Sequence, residues 1–174
     1  MRKTHNATIL SVTAVGLALI AACSSSDGSG GSGNSASVPR ATGEVVNAQS
    51  TSLGTILVDG KGRTVYVFAN DKANASNCDA VCAADWPPVP APTPLPASLT
   101  GVSGTIGMIN RSDGSHQLSV AGHPVYTFSG DSAAGQTNGQ GINLNGGLWT
   151  VVLPSGAPDP HPAGATTRPA GSGY

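Results

Sequence analysis

The chain has 174 residues, of which 10% are charged and 4% are aromatic, with 24 glycines and 13 prolines. This composition leaves few large side chains for a hydrophobic core, so it predicts one small, turn-rich domain. The formal net charge is −1, from eight Lys and Arg against nine Asp and Glu. Because the chain has no basic excess, we expect it to bind neither nucleic acid nor anionic lipid by charge.

Residues 1–22 have the layout of a secretory signal peptide. An Arg-Lys pair near the start is followed by an apolar run at residues 9–20, too short for a spanning helix of about 20 residues. Residues 20–23, with the sequence Ile-Ala-Ala-Cys, resemble a lipobox, the processing site of bacterial lipoproteins. The resemblance implies cleavage before Cys23 and lipidation of its sulfur. We therefore expect a protein anchored in the cell membrane through lipid and facing away from the cytoplasm.

Low-complexity segments flank the part that is expected to fold. Residues 23–42 follow the signal peptide with mostly Ser, Gly, Asn and Ala, a composition that predicts a flexible tether. Residues 155–174 repeat Pro, Gly and Ala, which predicts a disordered tail. Between them we predict a first repeat at residues 43–97, ending in a proline-rich connector, and a second repeat at residues 98–154.

The two repeats are visible as an internal duplication. Residues 62–71 (GRTVYVFAND) and residues 122–131 (GHPVYTFSGD) lie 60 positions apart, and a tryptophan follows each segment. Both Phe, both Trp and two of the three Tyr occupy paired positions: Tyr66, Phe68, Trp86, Tyr126, Phe128 and Trp149. Because large rings dominate core burial, this pairing predicts one hydrophobic centre to which each repeat contributes matching rings.

The local pattern is that of short β-strands separated by turns containing Gly and Asp. The apolar and β-branched runs that predict strands are residues 55–58, 64–68, 105–109, 116–120, 125–128 and 148–153. Helical periodicity is limited to one turn around residues 78–84. The sequence therefore predicts an all-β fold, a small antiparallel meander, sandwich or barrel built from the two internal repeats.

The duplicated motif resembles that of a known family. Tyr-x-Phe-x-x-Asp occurs at residues 66–71 and 126–131, and the similarity extends to residues 78–88 in the first copy and to residues 139–141 and 146–149 in the second. These residues resemble the predicted lipoproteins with a Yx(F/W/Y)xxD motif, a secreted repeat of unknown function. The resemblance covers most of residues 50–154. It implies an exported protein with two repeats, and it brings no activity with it.

Two roles are open for the tyrosine and the aspartate of each motif. The phenol and the carboxylate of Asp71 or Asp131 could converge on a ligand at a binding edge. The alternative is structural: the rings fill the core, and each aspartate caps the turn after its strand by accepting hydrogen bonds from backbone N–H groups. The structural role is the one that we expect.

Cys78 and Cys82 form a C-x3-C pair. In an oxidising compartment such a pair is expected to form a disulfide, and lipidation of Cys23 leaves an even number of cysteines. The alternative is a soft metal site for copper, in which the two thiolates are joined by further ligands: Met108, His116 and His123.

The sequence contains no recognisable catalytic arrangement of a nucleophile with a base, so we expect no enzymatic activity and no cofactor. The leading hypothesis is a non-enzymatic module of the cell envelope that binds or scaffolds an envelope protein or a small ligand. A copper- or redox-handling lipoprotein that uses Cys78 and Cys82 is the alternative, and a hydrolase ranks third.

Overall fold

The computed structural model describes residues 44–161, which form short antiparallel strands and one short helix. In chain order these elements are β1 (Val46–Thr51), β2 (Gly54–Asp59), β3 (Tyr66–Phe68), α1 (Ala80–Asp85), β4 (Ile106–Asn110), β5 (His116–Val120), β6 (His123–Pro124), β7 (Asn143–Leu144) and β8 (Gly147–Val151). The predicted all-β class is confirmed. The predicted signal peptide, Cys23, the predicted tether and residues 162–174 lie outside the described residues.

The strands form three open sheets. β1 pairs with β2, β4 and β6 flank β5 in a meander, and the third sheet has the order β3-β8-β7. In this third sheet a strand of the first repeat pairs with a strand of the second, with Tyr66 opposite Val151 and Phe68 opposite Trp149. Residues 44–161 therefore form separate sheets. They do not form a closed barrel, which was one of the architectures that the sequence allowed.

A two-fold relation between the repeats is centred on Tyr66 and Tyr126. The backbone N–H of each tyrosine donates to the carbonyl of the other, at 2.8 and 2.9 Å. Equivalent backbone hydrogen bonds then occur in both repeats. The N–H of Leu57 donates to the carbonyl of Val152, and its counterpart is the bond from Leu118 to Val89, both at 2.8 Å. The N–H of Val65 donates to the carbonyl of Leu57 at 3.0 Å, and its counterpart is the bond from Val125 to Leu118 at 3.2 Å. Each repeat thus pairs with a segment that belongs to the other repeat.

The structure differs from the sequence prediction at β1 and at residues 125–128, and the two-residue strands β6 and β7 also have no predicted counterpart. β1 has no predicted counterpart, because its polar sequence Val-Asn-Ala-Gln-Ser-Thr lacks an apolar run; it forms through its full-length pairing with β2. Residues 125–128, predicted as a strand, make only isolated bridges, from Tyr126 to Tyr66 and to Pro88. The segment facing residues 125–128 contains Pro87, Pro88 and Pro90, and proline has no N–H with which to extend a ladder.

Residues 155–161, expected in the disordered tail, instead fold back onto the domain. The N–H of Leu153 donates to the carbonyl of Ala157 at 2.9 Å, and the N–H of Asp159 donates to the carbonyl of Val151 at 3.0 Å. The turn between them needs a glycine, since Gly156 has φ +86° and a Cβ atom there would lie 2.7 Å from the Cβ of Ala121. The folded part therefore extends at least to His161.

The hydrophobic core has two parts. The first is aliphatic and takes equivalent residues from both repeats, including Leu57 and Val65 with Leu118 and Val125. The second contains the aromatic rings together with Cys78 and Cys82. Within residues 44–161 no helix is long and apolar enough to cross a membrane.

Candidate functional site

The tyrosine of each motif donates its hydrogen bond to the aspartate of the other motif. Tyr66 Oη lies 2.7 Å from Asp131 Oδ2, and Tyr126 Oη lies 2.7 Å from Asp71 Oδ2. Both tyrosines are fully buried. The residues of one Tyr-x-Phe-x-x-Asp motif are therefore not partners of each other, and each motif is completed by the second copy.

The second carboxylate oxygen of each aspartate holds a loop. Asp71 Oδ1 accepts the backbone N–H of Asn77 at 2.7 Å, and Asp131 Oδ1 accepts that of Asn138 at 2.9 Å. The side-chain amide of each asparagine donates to the carbonyl of the residue that precedes the aspartate. These asparagines are not apparent as a pair in the sequence. Asn77 lies six positions after its aspartate and Asn138 lies seven, so the two do not align at the 60-residue spacing of the motifs.

Burial governs the ionisation of these four groups. Desolvation raises the pKa of Asp71 and of Asp131 above the usual range, against the opposing hydrogen bonds from the tyrosines and the backbone. Desolvation also raises the pKa of the Tyr66 and Tyr126 phenols, which therefore stay protonated and donate. The phenol of each pair is the donor, and the carboxyl group of the other repeat is the acceptor.

The aromatic rings form a stack in which the two repeats alternate. In order along the stack, the rings are Phe68, Trp149, Trp86 and Phe128, with centroid separations of 4.3, 3.9 and 4.3 Å. Tyr66 meets Trp86 edge-on at 5.5 Å, and Tyr126 meets Trp149 edge-on at 5.1 Å. These stacked and edge-to-face geometries are the favoured ones for aromatic pairs. The paired rings of the duplication thus share one hydrophobic centre.

A disulfide joins Cys78 and Cys82 within this aromatic part of the core. Between the two cysteines Asp79 caps α1, its Oδ1 accepting the N–H groups of Val81 and Cys82, each at 3.1 Å. The N–H of Trp86 donates to the carbonyl of Cys82 at 2.9 Å. The bridged turn therefore sets the position from which Trp86 enters the stack, and both sulfur atoms are bonded to each other rather than offered as thiolates.

The other residues suggested as copper ligands lie on the sheet formed by β4, β5 and β6. Met108 is on β4 with 43% of its surface exposed, and His116 Nδ1 lies 2.8 Å from Asn110 Oδ1. His123 is exposed at the start of β6. In the part of the chain that the structure describes, no three His, Cys, Asp or Glu side chains are grouped to hold a metal ion.

Arg111 connects the repeats at a buried position, with 7% of its side chain exposed. Its guanidinium donates to Ser76 Oγ at 2.9 Å, to Gln117 Oε1 at 2.7 Å and to the carbonyl of Cys78 at 2.6 Å. Ser76 Oγ in turn lies 2.7 Å from Tyr126 Oη. Arg111 of the second repeat thus fixes the loop before the disulfide of the first. No motif marks it, because its partners are distant in sequence.

A groove of about 470 Å³ lies alongside β3 and β8. Its buried lining is formed by Val67, Phe68 and Thr150, and its other lining residues are Ala69, Asp71, His123, Leu148, Pro158, Asp159 and Pro160. We call it the acidic groove, because two aspartates and neither Lys nor Arg line it. The groove is not apparent in the sequence, since its walls come from both repeats and from residues 158–160, which were expected to belong to a disordered tail.

A second groove, of about 540 Å³, occupies a related position on the other side of the two-fold relation. Three of its residues are the repeat counterparts of acidic-groove residues. Thr127 corresponds to Val67 and Arg63 to His123, each pair 60 positions apart in the sequence. Pro87 corresponds to Thr150, because each directly follows a tryptophan of the stack. It is lined by both signs of charge, from Glu44, Asp59, Lys61 and Arg63. We call it the mixed-charge groove.

The fold and the crossed motifs define a class of protein, a β domain made from two interlocked copies of one repeat. Residues 47–90 and 107–153, more than half of the chain, match the family described as a secreted repeat of unknown function, and the chain belongs to this family. The resemblance noted in the sequence is confirmed. Neither a curated protein nor a solved structure matches the chain.

Proposed function

We propose that the protein is a lipoprotein, anchored to the membrane through Cys23, whose folded domain is a non-enzymatic binding or scaffolding module of the cell envelope. The secreted family supports the location outside the cytoplasm. The lipobox-like residues 20–23 support the anchor, since two acyl chains on one cysteine are enough for stable attachment.

The observation that carries the non-enzymatic part is the burial of the family motif. Tyr66 and Tyr126 are fully buried, and both hydroxyls are hydrogen bonded to carboxyl groups of the opposite repeat. A general acid, base or nucleophile must reach the substrate, whereas these groups are occupied in holding the repeats together. The motif that defines the family therefore supports a structural role for these residues, which leaves recognition to the surface.

The surface offers two grooves of a size that suits small ligands, roughly 300–1,000 Å³. The acidic groove lies beside β3 and β8, which pair across the two repeats, and the mixed-charge groove lies beside the turn after β2 and the proline-rich segment. These grooves support the binding role, for a small molecule or for a side chain of an envelope protein.

The anchor is tested by fractionating cells that express the full-length chain. Wild-type protein is expected in the membrane fraction, with an intact mass that includes a diacylglyceryl group. Cys23→Ala is expected in the soluble extracytoplasmic fraction, and Ser26→Ala, a neighbouring change outside the lipobox, should behave as wild type. Retention of the Cys23→Ala protein on salt-washed membranes would contradict lipid anchoring.

The binding role is tested with the lipidated protein immobilised from intact envelopes. A partner or ligand that is captured by the wild type and lost with Leu148→Arg, a charged change within the acidic groove, would support it. Turnover of esters, peptides or glycosides by the purified protein, abolished by Asp131→Asn, would contradict the non-enzymatic assignment.

A further inference from the structure

We propose that the acidic groove binds a small organic cation, an amine with an apolar body. The inference rests on the proposed binding function and names a ligand class for one of its two grooves. It is carried by three observations: an apolar lining of suitable size, an aspartate at the edge of the groove with neither Lys nor Arg in the lining, and a different charge pattern in the related groove.

The lining suits an apolar body. Val67, Phe68 and Thr150 form the buried surface of the groove, and Leu148 adds a half-buried aliphatic side chain. The volume of about 470 Å³ accommodates a single aromatic ring or a short aliphatic chain. Burial of that body against these side chains would supply most of the affinity.

The carboxylate of Asp159 can accept an ammonium group. Asp159 Oδ2 accepts one hydrogen bond from Gln140 Nε2 at 3.0 Å, and Oδ1 accepts one from the N–H of His161 at 2.9 Å. The imidazole Nδ1 of His161 lies 3.7 Å from the same Oδ1. An ionised carboxylate has about four acceptor positions, so Oδ2, which accepts a single hydrogen bond, keeps one for a ligand. Charge-assisted bonds of this kind are stronger than neutral ones. Asp71 also lies in the lining, with its two oxygens already accepting hydrogen bonds from Tyr126 and Asn77, so Asp159 is the acceptor for the ligand.

Asp159 is held in place before any ligand arrives. Its side chain is 11% exposed, and its backbone N–H pairs with the carbonyl of Val151 on β8. Gln140, the donor to Asp159 Oδ2, also accepts the N–H of Val151 at 2.7 Å through its own carbonyl oxygen. The carboxylate is thereby fixed to the edge of the groove, and a fixed acceptor lowers the entropy cost of binding.

The mixed-charge groove shows that this pattern is specific to one side of the domain. There the counterpart of His123 is Arg63, whose guanidinium lies 2.7 Å from Asp59 Oδ2, so a cation of the protein already occupies that carboxylate. Lys61 adds a further positive charge to the lining. The duplication therefore provides two related grooves, and only the acidic groove has aspartates in its lining without Lys or Arg.

The proposal is tested with full-length mature protein in detergent, titrated with 2-phenylethylamine and with two probes of similar size, 3-phenylpropionate and 2-phenylethanol. The amine is expected to produce saturable shifts of the amide resonances of residues 67–69 and 148–150, with a Kd on the order of 1 mM or lower. The anion should produce none, and the alcohol should bind more weakly than the amine. Equal responses to amine and anion, or shifts confined to residues 59–63, would overturn the proposal.

Variants locate the charge. Asp159→Asn keeps the shape of the side chain and is expected to weaken amine binding by about fivefold or more, the effect of losing one charge-assisted contact. Lys61→Ala, in the mixed-charge groove, is the matched control and should leave the Kd within about twofold. Unchanged binding by folded Asp159→Asn protein would refute the assignment. Fractionation of Cys23→Ala is scored independently, so failure of the amine site and failure of the anchor are distinguishable.

Discussion

Trp86 of the first repeat and Trp149 of the second lie face to face, with ring centroids 3.9 Å apart and planes within 3° of parallel. Each tryptophan has on its other face the phenylalanine of the opposite repeat, since Phe128 stacks on Trp86 and Phe68 on Trp149. Neither repeat therefore contains a complete set of core contacts. The two copies thus share one aromatic core rather than forming two units in tandem.

The first prediction concerns this stack. Trp149→Ala and Trp86→Ala each remove a fully buried ring at the contact between the repeats, and each is expected to lower the free energy of unfolding by about 3–5 kcal/mol. Val81→Ala, at an exposed position of α1, is the control and should change it by less than about 0.5 kcal/mol. Urea unfolding followed by circular dichroism measures both. A loss below about 1 kcal/mol for either tryptophan would contradict a shared core.

The contacts within this core could be foreseen only in part from the sequence. The duplicated rings predict a common hydrophobic centre, because so few other large side chains exist. The crossing of partners is invisible, since Tyr66 bonded to Asp71 and Tyr66 bonded to Asp131 leave the same pattern in the chain. Only three-dimensional placement distinguishes a repeat that closes on itself from one that closes on its copy.

The surface sites were less predictable for a physical reason. Arg111 and Gln140 act through hydrogen bonds to residues far away in sequence, and a single polar residue carries no periodicity that announces its partners. The acidic groove depends on residues 158–160, whose Pro-rich composition indicates a tail. Composition indicates only whether a segment tends on average to be ordered or disordered. The hydrogen bond from the N–H of Asp159 to the carbonyl of Val151 depends instead on one specific turn at Gly156.

The second prediction is a pH dependence of stability. Burial raises the folded-state pKa of Asp71 and Asp131 above the ordinary value of 3.8. A carboxyl group with a raised folded pKa contributes stability that is fully present below its unfolded pKa and is lost as the pH rises through its folded pKa. We therefore expect these two groups to favour the folded state more at pH 4 than at pH 7.

The measurement is the free energy of unfolding of wild type, Asp71→Asn and Asp131→Asn between pH 3.5 and pH 7. Each variant should lose part of the stability decrease that the wild type shows as the pH rises. Asp113→Asn is the control of opposite sign, because hydrogen bonds from Ser115 lower the pKa of this exposed carboxyl group. If Asp71→Asn and Asp131→Asn both keep the wild-type slope, ionisation of the buried pair does not affect stability.

The third prediction concerns the disulfide. Replacing Cys78 and Cys82 together by Ser opens a small loop and is expected to lower the free energy of unfolding by roughly 2 kcal/mol, since a short closed loop restrains the unfolded chain only modestly. Alkylation before and after reduction, followed by intact mass, should detect these two thiols only after reduction. Two thiols reactive in the native protein would contradict the bridge.

A related measurement separates the binding module from a copper carrier. Protein purified under reducing conditions and exposed to Cu(I) is expected to hold less than one copper per chain after dialysis, because Met108, His116 and His123 lie on three different strands and no three His, Cys, Asp or Glu side chains of residues 44–161 are grouped to hold a metal ion. One tightly held copper per chain, lost in the double Ser variant, would instead favour the copper-handling alternative.

The most direct test of the central claim, that each repeat completes the motif of the other, is a pair of double-mutant cycles. Tyr66→Phe combined with Asp131→Asn probes the bonded pair across the repeats, and Tyr66→Phe combined with Asp71→Asn probes the two residues of one motif. We predict a coupling energy of about 1–2 kcal/mol across the repeats and below about 0.5 kcal/mol within the motif. A coupling that is equal in both cycles, or larger within the motif, would contradict the crossed arrangement.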